Sequence, residues 1–338
     1  MRKLAQLFIL IILATLSACS NGNVGEQQSK VQSWFQEEDR IKVLSSIGMI
    51  DDLVRIIGGD HVNHITLILG NIDPHAYELV KGDGEKLEAA DIIFYNGVGL
   101  EHGPSLKRSL ETHPRAISLG GTLRKRSAHL FLEFDGLLDP HFWMDVSMWR
   151  RTVPIIIKEL SHFAPSHKKS FEENGRQLME DLLTEHEEII KMMTGISPEK
   201  RFLVSSHDAF NYFARAYLAT RKEKTVEMWG KRCVSPEGLA PESQISTSDI
   251  QRIMDHMKMF NLRVLFTESN VSKDSIKKIV DAGSQLGMDF VIADETLFGD
   301  AMGPEGSSEA TYIGMLRHNA RVIKTYLNGE NDGNQTKY

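Results

Sequence analysis

The architecture of the chain is set by residues 166–195, whose sequence is S-H-K-K-S-F-E-E-N-G-R-Q-L-M-E-D-L-L-T-E-H-E-E-I-I-K-M-M-T-G. Apolar residues recur in it at steps of seven, four, seven and four, which places them on one face of a helix. They are Phe171, Leu178, Leu182, Ile189 and Met193. A helix of about 28 residues would be about 42 Å long. We therefore predict one long rigid helix that bridges two lobes; the alternative is a surface helix that belongs to one lobe.

Segments that favour strands alternate with segments that favour helices on both sides of residues 166–195. The predicted strands are Lys42–Ser45, Ile65–Leu69, Ile92–Tyr95, Ala116–Leu119, Phe202–Ser205, Val264–Thr267 and Phe290–Ile292. The predicted helices are Met49–Ile57, Gly84–Ala90, Asp249–Phe260 and Lys273–Leu286. Such alternation is typical of parallel sheets covered by helices. We therefore predict an α/β fold with two parallel-sheet lobes, at residues 41–165 and 196–330, and a polar tail at 331–338.

The composition excludes several classes of protein. The chain has 338 residues, 41% of them hydrophobic and 25% charged, which is ordinary for globular proteins. Its 39 Lys and Arg against 46 Asp and Glu give a net charge of −7 without a basic block, which argues against nucleic-acid binding. Two cysteines exclude a disulfide-rich scaffold, and we predict that Cys233 is a packed small residue. No apolar run reaches the roughly 18 residues of an ordinary membrane-spanning helix.

The first 18 residues have the pattern of a bacterial lipoprotein signal peptide. Two basic residues precede a mostly apolar stretch at 4–16, which ends in Leu16-Ser17-Ala18-Cys19. Small residues before a cysteine resemble a lipobox, which implies cleavage before Cys19 and its lipidation. The alternative is an ordinary signal peptide with an incidental cysteine. We expect an exported lipoprotein, periplasmic or on the cell surface, tethered to a membrane by a flexible segment at 19–40.

One glycine-rich segment has some features of a dinucleotide-binding loop. Residues 97–103, G-V-G-L-E-H-G, follow a predicted strand, but the third glycine comes one position late and Pro104 follows at once. No acidic residue closes a second strand at the distance that a ribose would require. The glycines therefore indicate a turn. The sequence also lacks a Walker A motif, a G-x-S-x-G elbow and an H-E-x-x-H pair.

Three of the 13 histidines lie in informative contexts. His75 and His141 each end an Asp-Pro-His tripeptide, in which proline stiffens a turn that presents the imidazole. His207 directly follows a predicted strand, and Asp300 follows another after a short loop. Loops at the carboxyl ends of parallel strands are where α/β folds place their ligand-binding groups. We therefore predict that these four side chains meet in the cleft between the lobes.

Three imidazoles and one carboxylate suit a first-row divalent cation. His75 and His141 belong to the first lobe, and His207 and Asp300 belong to the second. The alternative for any single histidine is an ordinary core or surface role. Asp145 and Asp208 are candidates for orienting the rings because they lie close to the histidines in sequence.

Several segments together resemble the TroA/ZnuA-like solute-binding proteins of bacterial ABC importers for zinc, manganese and iron. They are I-D-P-H-A-Y-E, L-E-A-A-D-I-I-F-Y-N-G-V-G-L-E, D-P-H-F-W-M-D, S-S-H-D-A-F-N-Y-F-A-R-A-Y, L-F-G-D-A-M-G-P-E-G and T-Y-I-G-M-L-R-H-N. The resemblance covers about residues 41–327, and S-P-E-G-L-A-P-E-S-Q-I-S is most similar to chlamydial-type members. The resemblance implies two α/β lobes bridged by a helix, with metal held by His75, His141, His207 and Asp300.

Two differences between this chain and family members of known type bear on which metal it binds. Some manganese-binding members have glutamate where this chain has His207, and zinc specialists often carry a loop rich in His and acidic residues before the second histidine. The corresponding segment 124–138 contains a single histidine, His129. The cargo therefore stays open among Zn, Mn and Fe.

The resemblance implies a monomeric, non-enzymatic protein that passes one divalent metal ion to a membrane permease driven by a cytoplasmic ATPase. Two alternatives are a metal-dependent hydrolase, which would use an open metal position for water, and a surface adhesin lipoprotein, a role described for some family members.

Overall fold

The computed structural model describes residues 22–241 and 245–329. The N-terminal lobe is built on four parallel strands, β1 Ile41–Ser45, β2 Val62–Thr66, β3 Ile92–Tyr95 and β4 Ala116–Ser118. Their order in the sheet is β2-β1-β3-β4. Val43 and Leu44 point to opposite faces of the central strand β1 and are both fully buried. The sheet is therefore covered on both faces, as parallel sheets require.

The helices of this lobe connect and cover the strands. They are α1 Gly22–Gln36, α2 Gly48–Gly58, α3 Asp83–Ala89, α4 Pro104–Thr112, α5 Leu119–Ser127, α6 Val146–Trp149 and α7 Val153–Phe163. A two-stranded antiparallel hairpin, β5 Glu133–Phe134 and β6 Leu137–Leu138, follows α5. Its two-residue turn is Asp135-Gly136, and both residues have positive φ, as tight hairpin turns favour.

The predicted long helix is confirmed as α8, Lys168–Thr194, with 27 residues and a length of about 40 Å. The five apolar residues of its predicted stripe are all buried. α8 packs against α2 and α7 of the N-terminal lobe and against α13 (Tyr312–Asn328) of the C-terminal lobe. Glu185, buried on α8, forms an ion pair with Arg317 of α13. The helix therefore bridges both lobes along its length.

The C-terminal lobe contains two short parallel pairs of strands. They are β7 Leu203–Val204 with β8 Cys233–Val234, and β9 Val264–Leu265 with β10 Val291–Ile292. The amide of Phe266, just after β9, donates to the carbonyl of Val204 at 2.8 Å and so joins the pairs in the order β8-β7-β9-β10. The helices are α9 Asn211–Phe213, α10 Val226–Trp229, α11 Thr247–Met259, α12 Asp274–Gln285 and α13. The prediction of two parallel-sheet lobes is confirmed.

Two local predictions differ from the structure. β2, Val62–Thr66, begins and ends three residues earlier than the predicted strand Ile65–Leu69. The loop that carries His75 is therefore longer than expected. The predicted flexible tether at 19–40 does not hold for its last part, because helix α1 continues to Gln36 and its residue Trp34 is fully buried. The indole of Trp34 donates to the carbonyl of Asn63 at 3.0 Å and fixes this helix to the edge strand β2.

Residues 1–21 with Cys19, residues 242–244 and residues 330–338, which include the predicted polar tail at 331–338, lie outside the described residues. Among the helices of 22–241 and 245–329, none combines the length and the hydropathy needed to cross a bilayer. Cys233 is buried, as predicted, and burial raises the pKa of its thiol.

Candidate metal centre

The four predicted ligands all lie in loops that follow strands. His75 lies between β2 and α3, and His141 follows the β5–β6 hairpin. His207 comes three residues after β7, and Asp300 follows β10. Each lobe contributes two of them, from the carboxyl ends of its parallel strands or from the adjacent hairpin, so the cleft between the lobes receives all four.

Both Asp-Pro-His motifs fold into the same turn. The amide of His75 donates to Asp73 Oδ1 at 2.8 Å, and the amide of His141 donates to Asp139 Oδ1 at 2.9 Å. An aspartate that accepts the amide two residues later is a side-chain mimic of a backbone turn. The proline between them fixes the backbone, so each motif presents its imidazole in one direction.

The geometry of the four side chains suits a small cation. They are almost fully buried, and one ligand atom from each lies within 4.8 Å of all the others. Nε2 of His75 and Nε2 of His141 are 3.2 Å apart. Asp300 Oδ1 lies 3.3 Å from His141 Nε2, and its Oδ2 lies 3.1 Å from His207 Nε2. Tetrahedral bonds of about 2.0–2.1 Å place ligand atoms about 3.3 Å apart, so these separations are those of a coordination shell.

Two carboxylates orient two of the rings. Asp139 Oδ1 lies 2.8 Å from Nδ1 of His141, and Glu268 Oε2 lies 2.7 Å from Nδ1 of His207. A carboxylate behind Nδ1 directs Nε2 to the centre and raises its basicity toward a metal. The sequence-based candidates Asp145 and Asp208 do not have this role. Asp145 caps α6 through the amide of Ser147, and Asp208 accepts a hydrogen bond from Ser235.

The three imidazoles differ in protonation. Burial lowers the pKa of His75 to about 3, so this ring is neutral. Burial acts the same way on His141, but the charge and hydrogen bond of Asp139 outweigh it and raise its pKa to about 9. Glu268 and Asp300 likewise raise the pKa of His207 well above its ordinary value. Burial opposes ionisation of Asp300, yet the charges of His207 and His141 hold its pKa well below the usual range.

Three polar atoms of the cluster have no hydrogen-bond partner among the described residues. They are Nδ1 and Nε2 of His207 and Oδ1 of Asp300, all buried. Buried polar atoms without a hydrogen bond are uncommon in native proteins and require an explanation. A bound cation explains Nε2 of His207 and Oδ1 of Asp300, which are ligand atoms of the cluster, whereas Nδ1 of His207 lies 2.7 Å from Glu268 Oε2.

The loop of Asp300 is fixed on every side. The side chain of Asn319 accepts from the amide of Phe298 at 2.9 Å and donates to its carbonyl at 2.8 Å. The indole of Trp143 donates to the carbonyl of Gly299 at 3.1 Å, and Asn270 Nδ2 donates to Asp300 Oδ2 at 2.8 Å. A Cβ at Gly299 would overlap Glu268 Oε2 and lie 3.1 Å from His207 Cε1, so only glycine fits.

The glycine-rich loop after β3 supports His141 and does not follow a dinucleotide-binding pattern. Gly97, Val98 and Gly99 all have positive φ, which makes the predicted turn. Glu101, fully buried behind it, accepts hydrogen bonds from Ser46 Oγ and from the amides of residues 96 and 97. The side chain of Asn96 then donates to the carbonyl of Pro140 at 3.0 Å, beside His141.

Residues 43–326 match the family described as zinc-uptake complex component A, periplasmic. The chain belongs to this family. It is 37% identical to the metal-binding protein YtgA of Chlamydia pneumoniae over 298 residues, which are 88% of this chain and 89% of that protein. Family members are solute-binding transport proteins rather than enzymes, which confirms that part of the sequence-based prediction.

Two solved structures have a similar fold. Fe(III)-bound YtgA from Chlamydia trachomatis superposes with a TM-score of 0.79 at 35% identity, over 84% of this chain and 97% of that one. The periplasmic zinc-binding protein TroA from Treponema pallidum gives 0.75 at 28% identity, over 84% and 98%. These matches confirm the predicted α/β architecture, and none of these relatives supports the hydrolase alternative.

Proposed function

We propose that this chain captures one transition-metal ion between its two lobes through His75, His141, His207 and Asp300. It then delivers the ion to the permease of an ABC importer, whose ATPase works from the cytoplasmic side. The observation that supports this most is the convergence of four buried ligand atoms, two from each lobe, within 4.8 Å. Because each lobe supplies two ligands, a bound ion would join the lobes across the cleft.

A complete set of four protein ligands favours binding over catalysis. Catalytic zinc sites use three protein ligands and keep a fourth position for water. Here Asp300 lies 3.1–3.7 Å from the three imidazole Nε2 atoms through its two oxygens and occupies that fourth position. A metal held in this way is cargo.

The donor set selects among cations. Imidazoles suit zinc and iron, and the carboxylate keeps manganese possible. The related YtgA crystallises with Fe(III), and TroA is described as zinc-binding. We propose that the cargo is Zn, Fe or Mn and that it is carried as one ion per chain.

We further propose that the mature protein is an exported monomer held at a membrane by lipid on Cys19. An anchored carrier keeps a high effective concentration at its permease. Helix α1 begins at Gly22, three residues after Cys19, and packs on the N-terminal lobe through Trp34. Palmitate labelling in a bacterial host, with and without C19A, tests the anchor.

Thermal unfolding of the mature chain, stripped of metal, tests the metal site. Zn²⁺, Mn²⁺ and Fe²⁺ are added singly to the wild type, H75A, D300A and the control H129A, which changes an exposed histidine outside the site. Free metal at about 1,000 times Kd adds about 4 kcal/mol of apparent stability. We expect a shift of several degrees in the wild type and H129A that H75A and D300A lose. A wild type that no metal stabilises would refute the proposal.

A further inference from the structure

We propose that Asn270 is a specificity-determining residue, which makes the two oxygens of Asp300 unequal and so favours a four-coordinate cation over one that needs more ligands. This inference rests on the proposed metal-binding function. It concerns a residue that is not itself a ligand and that lies at the edge of the site.

Asn270 reaches Asp300 from the neighbouring strand. It lies in the loop after β9, partly exposed, whereas Asp300 is buried after β10. Its Nδ2 donates to Asp300 Oδ2 at 2.8 Å, and its Oδ1 lies 3.4 Å from the amide of Asp300. The oxygen and the nitrogen of the carboxamide therefore both face Asp300. This fixes the orientation of the carboxamide, with its Nδ2 donating to the carboxylate.

The hydrogen bond distinguishes the two carboxylate oxygens. Oδ1 has no hydrogen-bond partner in the described part of the chain and lies 3.3 Å from His141 Nε2. Oδ2 lies 3.1 Å from His207 Nε2 but already accepts a hydrogen bond from the side-chain Nδ2 of Asn270. An oxygen that shares its electron density with a donor is the weaker metal ligand. The cation is therefore held through one short bond to Oδ1 and a weaker contact to Oδ2.

The coordination number follows from this inequality. Three imidazoles and one oxygen make the tetrahedral set that Zn²⁺ favours. Mn²⁺ prefers more oxygen ligands in an octahedral arrangement, so it gains most from a carboxylate that binds through both oxygens. Removal of the Asn270 donor frees Oδ2, and Mn²⁺ should benefit more than Zn²⁺.

The test is the ratio of the two dissociation constants, measured by chelator competition at one pH for wild type, N270A and N270L. Leucine is close in size to asparagine and leaves no void, so it guards against a loss of fold in the alanine variant. We expect the ratio of Kd for Mn²⁺ to Kd for Zn²⁺ to fall by about tenfold or more in both variants. X-ray absorption of the Mn²⁺-loaded variants should show one more oxygen neighbour than in the wild type.

W143F is the matched control, because it loosens the Asp300 loop at Gly299 without touching the carboxylate. It should weaken both metals by the same factor. A similar equal weakening in N270A and N270L, or an unchanged ratio, would show that Asn270 only supports the loop and would overturn the inference. If the wild type binds both metals in that experiment, the proposed function survives such a result. A wild type that binds neither metal would overturn both.

Discussion

Asp139 allows a prediction in which the effect of one substitution depends on pH. Its Oδ1 accepts the amide of His141 at 2.9 Å and lies 2.8 Å from Nδ1 of the same ring. Its Oδ2 accepts from Asn211 Nδ2 at 3.1 Å. In D139N one of these places must receive an amide group. Turned toward Asn211, it sets two donors against each other; turned toward His141, it removes the acceptor that holds the ring.

The substitution has two opposing effects on metal affinity. Loss of an orienting carboxylate costs about 10–100-fold in affinity. In the wild type, however, Asp139 raises the pKa of His141 to about 9, so a proton must leave before metal binds. At pH 7 this competition reduces the apparent affinity about 100-fold. D139N removes most of that competition, because the pKa of His141 falls toward its ordinary value.

We therefore expect D139N to bind Zn²⁺ within about tenfold of the wild type at pH 7 and about 10–100-fold more weakly at pH 9.5, where His141 is deprotonated in both proteins. Chelator competition over this range measures the affinity. Calorimetry in buffers of different ionisation enthalpy counts the protons released at pH 7, which should be about one fewer per metal in D139N.

The matched control is D135N, which makes the same chemical change at the exposed tip of the β5–β6 hairpin. Asparagine tolerates the positive φ of 51° at that position. It should leave both the affinity and the proton count unchanged. A constant loss of affinity at every pH in D139N, with the proton count of the wild type, would refute the reasoning, because Asp139 would then only hold the loop.

Three further predictions follow from packing and protonation. G299A introduces a methyl group against Glu268. It should lower the free energy of unfolding by about 1–3 kcal/mol and remove the stabilisation by metal in thermal melts. A variant that metal stabilises as much as the wild type would contradict this. L182A leaves a cavity at a fully buried position on α8. It should lower the free energy of unfolding, measured in urea, by about 2–5 kcal/mol, and a loss below about 1 kcal/mol would contradict this. The metal-free protein should be most stable near pH 6.5: the pKa of His75, lowered to about 3 when folded, makes stability fall as pH drops from there, and the pKa of His141, raised to about 9, makes it fall as pH rises. Urea melts from pH 4 to 9 measure the profile, and a steady increase up to pH 9 would contradict it.

Local sequence was enough to predict the long helix and the four side chains that converge in the cleft. The spacing of apolar residues on α8 requires only helical geometry, and the stripe from Phe171 to Met193 is buried as predicted. Each ligand also lies in a motif that signals its own position, an Asp-Pro-His turn or the end of a strand. Those features depend on neighbours within a few residues along the chain.

The orienting carboxylates could not be predicted in the same way. Nearness in sequence favoured Asp145 and Asp208, but a ring is oriented by what lies behind it in space. Glu268 is 61 residues from His207, and they meet because β7 and β9 are neighbours in the sheet. The order of strands depends on the whole lobe. Asp139 is easier to find from the sequence, because it is the first residue of the Asp-Pro-His motif that ends in His141, and its side chain accepts the amide of His141.

The charges of the site allow protons and a divalent cation to replace one another. Three buried carboxylates, Asp139, Glu268 and Asp300, face the two imidazoles whose pKa values are raised, His141 and His207. With the three carboxylates ionised and both imidazoles protonated, the buried charge of the site without metal is about −1. A divalent cation displaces about two protons and leaves that charge unchanged. Uncompensated charge is costly in a dry interior, so the protons take the place of the metal when it is absent. Mild acid therefore favours release of the cargo without exposing the carboxylates to one another.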